Sequence, residues 1–314
     1  MIISPKEKEV LHKPVLLQEV IEALEVKRLA RLKKAKFIDA TLGLGGHTIE
    51  IIKEGGFVLG IDADERTLKL AEERIKEACP TLESGSFQGA FKAVNANFKD
   101  IDQIAETQGF LDADGILFDL GVSSYQLTDQ ERGFSFQNPA AELDMRIDRT
   151  GQAVTASDLI NALPEKSLKS LFVQVMNSRD ALVLSAGIVK QRKVKRIETV
   201  GDLNEIVNIT IADKKKINRS TLPFLALRIA VNSELENLKD GLTKAFAVLA
   251  DGGKMVVISF HSAEDRLVKE FYNQLEKNGS GVKENSHPIV PADGEIKVNP
   301  RARSAKLRII RKKS

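Results

Sequence analysis

Between Asp39 and Thr48 the chain reads DATLGLGGHT: an acid, then glycines at 43, 45 and 46, a histidine at 47 and a hydroxyl at 48. Glycine lets a backbone turn tightly and approach a ligand, because it has no Cβ to clash. A helix opening directly behind such a turn leaves N–H groups aimed at whatever the turn holds. About 20 residues on, Asp62 closes an apolar run, where a carboxylate can accept hydrogen bonds from both hydroxyls of an adenosine ribose. The combination points to a nucleoside cofactor, either a dinucleotide or S-adenosylmethionine. The dinucleotide spacing G-x-G-x-x-G, begun at Gly43, needs glycine where Thr48 stands; begun at Gly45, it needs glycine where His47 stands. Neither register fits. An acid at 39 also sits poorly beside a pyrophosphate and suits the ammonium group of a methionine moiety. The spacing therefore favours the sulfonium cofactor.

Two further segments place reactive side chains where an open α/β sheet binds ligands, beyond the carboxyl ends of its strands. GILFDLGVSSYQL, from Gly115 to Leu127, puts Asp119 at a strand end with Ser123, Ser124 and Gln126 just after it. VISFHSAEDRLVKEF, from Val257 to Phe271, puts Ser259, Phe260, His261 and Ser262 at another. The serines and His261 can equally be read as turn and helix caps. Asp119, an acid ending an apolar strand, is the stronger functional candidate. The single Cys79 excludes an internal disulfide and a Cys-rich zinc site.

The elements that must hold these residues follow from periodicity. Lys36–Ala40, Phe57–Asp62 and Gly115–Leu120 read as buried strands, Thr48–Lys53 as the start of a helix, and Asp64 as the cap of a helix with Leu68, Ala71 and Ile75 on its apolar face. This rhythm implies a parallel sheet with helices on both faces. From Thr128 to about Asn218 strand-like runs vanish and helical segments dominate: Ala156–Leu163, Glu165–Met176 and Val200–Ile211. The α/β pattern returns with a long helix from about Leu222 to Leu249, expected to break near Gly241. A turn at Asp251-Gly252-Gly253 and a strand Lys254–Phe260 follow. Ser262 with Asp265 reads as a capping box for the next helix, and Ala305–Ile310 as a last strand.

Of 314 residues 42% are hydrophobic and 29% charged, enough for one large core or for a core domain plus a smaller one. No apolar run approaches the roughly 20 residues that span a bilayer, so a cytoplasmic protein without membrane contact is expected. A net charge of +3 does not by itself announce nucleic acid. Local clusters could neutralise phosphates: KQRKVKR at Lys190–Arg196, the triplet Lys214–Lys216, and the cations from Arg301 to Lys313. The bland reading of each is solvated surface.

In eight segments the chain resembles the bacterial small-subunit (16S) ribosomal RNA cytosine-N4 methyltransferase family, RsmH, formerly MraW. They are HKPVLLQEVIEAL (12–24), DATLGLGGHT, GILFDLGVSS, RGFSF (132–136), LDMRID (143–148), LRIAVNSELENL (227–238), VISFHSAEDRLVK and NPRARSAKLR (299–308). The resemblance implies an α/β, Rossmann-like class I S-adenosylmethionine-dependent methyltransferase domain with an inserted all-helical domain. On that reading residues 1–126 and 219–314 form the methyltransferase domain, and 127–218 a helical insertion for RNA recognition. It further implies that Gly45, Gly46 and His47 hold the methionine end of the cofactor and Asp62 the ribose. Phe98 would lie by the adenine, and Asp119 and Gln126 would complete the pocket. The implied partner is 16S rRNA or the small ribosomal subunit, and the product N4-methylcytosine in the decoding centre; association as a homodimer is left open. Asp119, or its neighbour Ser123, is the candidate acceptor for the amine proton. Phe134 and Phe136 would either stack on an extruded base or belong to the core of the insertion.

The departures from the family pattern lie in and around the insertion. Tyr125 stands where proline is usual, the link 137–142 is one residue longer than the family's, VMNSR (175–179) replaces a tyrosine-glycine-glutamate stretch, and NRSTLPFL (218–225) replaces a segment close to HPATRTFQ. Three rivals remain at this stage: a methyltransferase for another substrate, a nicotinamide-dependent oxidoreductase disfavoured by the failed glycine register, and a non-catalytic RNA-binding assembly factor.

Overall fold

Strands form where apolar runs are buried, and five strands line up in parallel, the outermost of them only half-buried. The structure, a computed structural model, describes residues 14–80, 90–129, 131–212 and 218–314. The lysine triplet at 214–216 and the first two residues of the 12–24 segment lie outside the described residues. Strands β1 (Lys36–Asp39), β2 (Phe57–Asp62), β3 (Phe91–Asn95), β4 (Ala113–Asp119), β5 (Leu249–Ser259), β6 (Gly281–Lys283) and β7 (Lys306–Lys312) form one sheet in the order β3-β2-β1-β4-β5-β7-β6. β1 to β5 are mutually parallel, and β7 runs antiparallel between β5 and β6. In the doubly wound dinucleotide-binding order 3-2-1-4-5-6 no such reversed strand stands beside β5.

Alternation along the strands divides the core in two. Ile116, Phe118, Met255 and Val257 face a cluster completed by the helices Ile101–Gln108, Glu234–Val248 and Ser262–Lys277. Leu117, Val256 and Ile258 face the opposite cluster, completed by Leu17–Leu24, Gly46–Lys53 and Glu65–Ala78. Both faces are thus covered, as a parallel sheet requires.

The chain divides into two compact units, residues 1–123 with 236–314, and residues 124–235. The second unit therefore runs past the boundary at 218 expected from sequence rhythm. Its helices among the described residues include Ser124–Thr128, Ala156–Ala162, Glu165–Phe172, Ser178–Gln191, Val200–Thr210 and Thr221–Asn232. Thr155 with Asp158 and Thr199 with Asp202 form complete capping boxes at two of their starts. Arg132 is buried in this unit, and its Nη2 donates to the carbonyls of Arg146 and Ile147 at 2.7 and 2.8 Å. Phe134 is buried beneath that guanidinium and Phe136 packs edge-on against Phe224, so both serve the core of this unit.

Several local expectations need correction. The long helix breaks at Ser233, which is left-handed at φ 49°, and not at Gly241. Gly241 lies within the helix Glu234–Val248, where Phe98 packs on it and leaves no room for a Cβ. The helix after β5 is capped by His261 with Glu264, one residue ahead of the expected Ser262 with Asp265. Asp265 is taken instead by Lys306 and Arg308 of β7 at 3.0 and 2.7 Å. The Asp251–Gly253 turn lies within β5, as an irregularity in its register with β4. The helix after the glycines begins at Gly46, two residues earlier than expected.

Candidate functional site

Three adjacent parallel strands, β2, β1 and β4, end in carboxylates: Asp62, Asp39 and Asp119. The glycine turn passes over them. Gly43 (φ 52°) and Gly45 (φ 75°) occupy left-handed conformations, and a Cβ on Gly45 would meet Ile75 Cδ1 at 2.9 Å. The turn is tied to β2 by the Leu42 N–H donating to the Ile61 carbonyl and by the Gly43 N–H donating to Asp62 Oδ2, both at 2.9 Å. Arg74 Nη1 holds the Leu44 carbonyl at 2.6 Å. The loop is therefore preorganised, its shape set before any ligand arrives.

Each acid has a distinct place. Asp39 is buried under the turn, its Oδ2 accepting from Thr48 Oγ1 at 2.7 Å and its Oδ1 from the Thr41 N–H at 3.3 Å. It is committed to holding the loop, beyond the ammonium-binding role the sequence suggested for it. Asp62 accepts the Gly43 N–H on one oxygen and the Asp64 N–H, at 2.8 Å, on the other. Asp119 Oδ2 stands 3.7 Å from His47 Nδ1, and its Oδ1 is buried with no hydrogen-bond partner. His47 is itself buried, with Nε2 3.0 Å from the Val15 carbonyl. A carbonyl only accepts, so the ring proton resides on Nε2 and Nδ1 is left as an acceptor facing Asp119.

Burial governs the protonation of the group. It pushes Asp62 up to about 7, against the backbone N–H groups of Asp64 and Gly43, which pull it down. It raises Asp39 to about 6, opposed by Thr48 and Thr41. Asp119 lies well above the usual carboxylate range, through burial first and then the charges of Asp39 and Glu264. Burial lowers His47 to about 4, so its imidazole is neutral at physiological pH. No lysine or arginine among the described residues forms an ion pair with any of the three acids. A cluster of carboxylates without a protein cation, including one orphaned oxygen, suits a ligand that brings positive charge and hydroxyl donors. S-adenosylmethionine has both.

The remaining expected residues are placed as follows. Phe98 opens a short 3-10 turn just past β3, half-buried and edge-on to Phe118 of β4 at 5.5 Å. Ser123 lies four residues beyond Asp119 and is partly exposed. Gln126 is buried on the first helix of the second unit. Sequence reasoning missed the Val15–His47 contact, the Thr48–Asp39 bond and the His261–Glu264 cap; only the last had a local signal, an acid three residues after a polar one. The basic cluster at 190–196 is partly spent within the fold. Arg192 donates to the carbonyls of Ile160 and Leu163, Lys195 pairs with Asp202 and Arg196 with Asp158, while Lys190 and Lys193 are exposed.

Comparison with known proteins decides the family. The model of the MraW methylase family matches residues 9–313. The chain belongs to the MraW methylase family. This MraW methylase is 42% identical over 310 residues to the ribosomal RNA small subunit methyltransferase H of Methylacidiphilum infernorum, spanning 95% of this chain and 93% of that relative. It is 44% identical over 303 residues to the protein of the same name from a Hydrogenobaculum species, spanning 95% of each. Among solved structures it is similar to an rRNA methylase from Streptococcus thermophilus, with a TM-score of 0.42 and 10% identity over 94% of this chain and 96% of that one. Its fold is that of a Rossmann-like class I methyltransferase, an assignment carried by family membership and the sheet order. No helix among the described residues is long and apolar enough to cross a membrane.

Proposed function

We propose that this protein transfers the methyl group of S-adenosylmethionine to the exocyclic N4 of a cytidine in the 16S RNA of the small ribosomal subunit, in the decoding centre, and that it does so in the cytoplasm. The observation that carries the reading is the set of three strand-end carboxylates beneath the glycine turn, with Asp119 Oδ1 left without a partner. The names of the relatives support the RNA substrate.

The sulfonium donor supplies an already activated methyl group, so the protein's task is mainly to position an amine in line with it. Gly45, Gly46 and His47 would hold the methionine end against the start of the Gly46–Lys53 helix. Asp62 would take the ribose hydroxyls on the lone pairs not used by Gly43 and Asp64. Phe98 would flank the adenine. Asp119 Oδ1 would accept an N4–H, drawing electron density toward a nitrogen whose lone pair is delocalised into the ring. Positive charge bound among the acids favours their ionised forms, which readies Asp119 to accept. The helical unit, residues 124–235, would recognise RNA, with its exposed Lys190 and Lys193 toward phosphate.

The test uses the whole protein. S-adenosylhomocysteine should raise the unfolding temperature and NAD should not. Methyl label from S-adenosylmethionine should enter small subunits isolated from cells lacking this gene. Stabilisation by NAD alone would support an oxidoreductase instead, and cofactor binding without label in RNA would support an assembly factor.

A further inference from the structure

The sequence singled out His261, and the proposed reaction leaves it unused. It lies just past β5, the parallel neighbour of β4, in which Asp119 pairs in register with Ile258. The two strand exits run side by side: a Cβ built on Gly121 would lie 3.7 Å from Phe260 Cδ2. His261 caps the Ser262–Lys277 helix through its ring, with Nδ1 accepting the Glu264 N–H at 3.4 Å. That bond leaves the ring proton on Nε2. Glu264 is buried, and its Oε2 accepts the N–H groups of Phe260 and His261 at 2.9 and 3.2 Å, which fixes the turn around the imidazole. Nε2 is nevertheless buried without a hydrogen bond. Glu264 Oε1 approaches it to 3.0 Å, but off the line of an N–H bond. The side chain is only 10% exposed.

The ends of adjacent strands thus carry two buried polar atoms that find no hydrogen bond in the protein: an acceptor, Asp119 Oδ1, and a donor, His261 Nε2–H. Buried groups of this kind are costly unless a ligand answers them. We infer that Asp119 and His261 together read the edge of the target base, Asp119 Oδ1 accepting from the exocyclic amino group and His261 Nε2–H donating to the adjacent ring nitrogen. The inference rests on the proposed function and names how its site selects a base. Cytosine presents an N4–H donor beside the N3 acceptor, which matches. Uracil and guanine present an oxygen acceptor beside a ring N–H donor, which sets acceptor against acceptor and donor against donor; adenine, with N6–H beside N1, presents the same pair as cytosine, so this edge rejects uracil and guanine and leaves pyrimidine over purine to other contacts. His261 is in this sense a specificity-determining residue, and its capping role orients it.

The experiment is a chemical double-mutant cycle with the full-length protein and unmethylated small-subunit RNA carrying cytidine or 3-deazacytidine, which lacks the N3 acceptor, at the target position. The wild type should lose roughly ten- to a hundredfold in kcat/KM on the deaza RNA. His261→Ser retains a capping oxygen but removes Nε2–H. It should lose a similar factor on cytidine and show no further loss on 3-deazacytidine, with S-adenosylhomocysteine affinity and unfolding temperature near those of the wild type. His261→Asn, a second capping residue, should repeat this pattern if the serine variant folds poorly. Equal deaza penalties in wild type and variants would overturn the inference, as would wild-type turnover by either variant. Absence of methyl transfer by the wild type to cytidine RNA would instead remove the proposed function beneath it.

Discussion

Cofactor affinity should climb steeply with pH across the neutral range, and Asp62 is the reason. Its carboxylate already accepts two backbone N–H groups, and a ribose adds two hydroxyl donors. Those four donors fill the roughly four lone-pair sites of a carboxylate, leaving no place for a proton. Binding therefore requires the ionised form, while burial raises the free acid to about 7. At pH 5 only about one molecule in a hundred has Asp62 ionised, against nearly all at pH 8, so Asp62 alone predicts an affinity about a hundredfold weaker at pH 5. Asp39, raised to about 6, steepens the dependence at its acid end. His47, lowered to about 4, stays neutral throughout this window. Stability without ligand runs in the opposite direction. A carboxylate raised on folding stabilises below its unfolded value near 4, and that contribution is lost as pH rises through 6 to 7. Calorimetric titration of S-adenosylhomocysteine from pH 5 to 8 measures the first effect, with proton release read from buffers of different ionisation enthalpy. Asp62→Asn should bind more weakly at pH 8 and lose the step near 7. An affinity independent of pH in the wild type, or a full pH dependence retained in Asp62→Asn, would refute the reasoning.

Three other perturbations have defined outcomes. Gly45→Ala forces a Cβ against Ile75 at a left-handed position, so it should cost about 1–3 kcal/mol in an unfolding titration and weaken cofactor binding. Asp119→Asn should lower turnover at saturating cofactor by about a hundredfold or more, measured as methyl incorporation; unchanged turnover would exclude Asp119 as the acceptor. Arg132→Met strands the carbonyls of Arg146 and Ile147, and scanning calorimetry should show a loss of about 1–3 kcal/mol.

Much of the α/β unit was legible because its signals are local. β2 matches the run Phe57–Asp62 to the residue, and Asp64 caps the next helix by accepting the N–H groups of Arg66 and Thr67. The turn glycines were readable because only glycine tolerates their backbone at low cost. What escaped was long-range. The reversal of β7 depends on hydrogen bonds to β5, about fifty residues earlier, and periodicity does not record strand direction. The helix breaks at Ser233, while Gly241 is glycine because Phe98 packs on it, a contact across more than a hundred residues. Asp265 looked like a cap until Arg308 claimed it. In the site, the residue types were visible, but the tautomer of His47 depends on a carbonyl contributed by Val15, and no spacing rule encodes that.

The central claim is methyl transfer to one cytidine of 16S RNA through the acids at the strand ends. Base-resolution mapping of N4-methylcytidine in small subunits tests it most directly, using cells that lack the gene and cells complemented with the wild type or Asp119→Asn. A single modified cytidine lost on deletion, restored by the wild type and not by the variant, is the expected pattern. An unchanged modification map after deletion would contradict it.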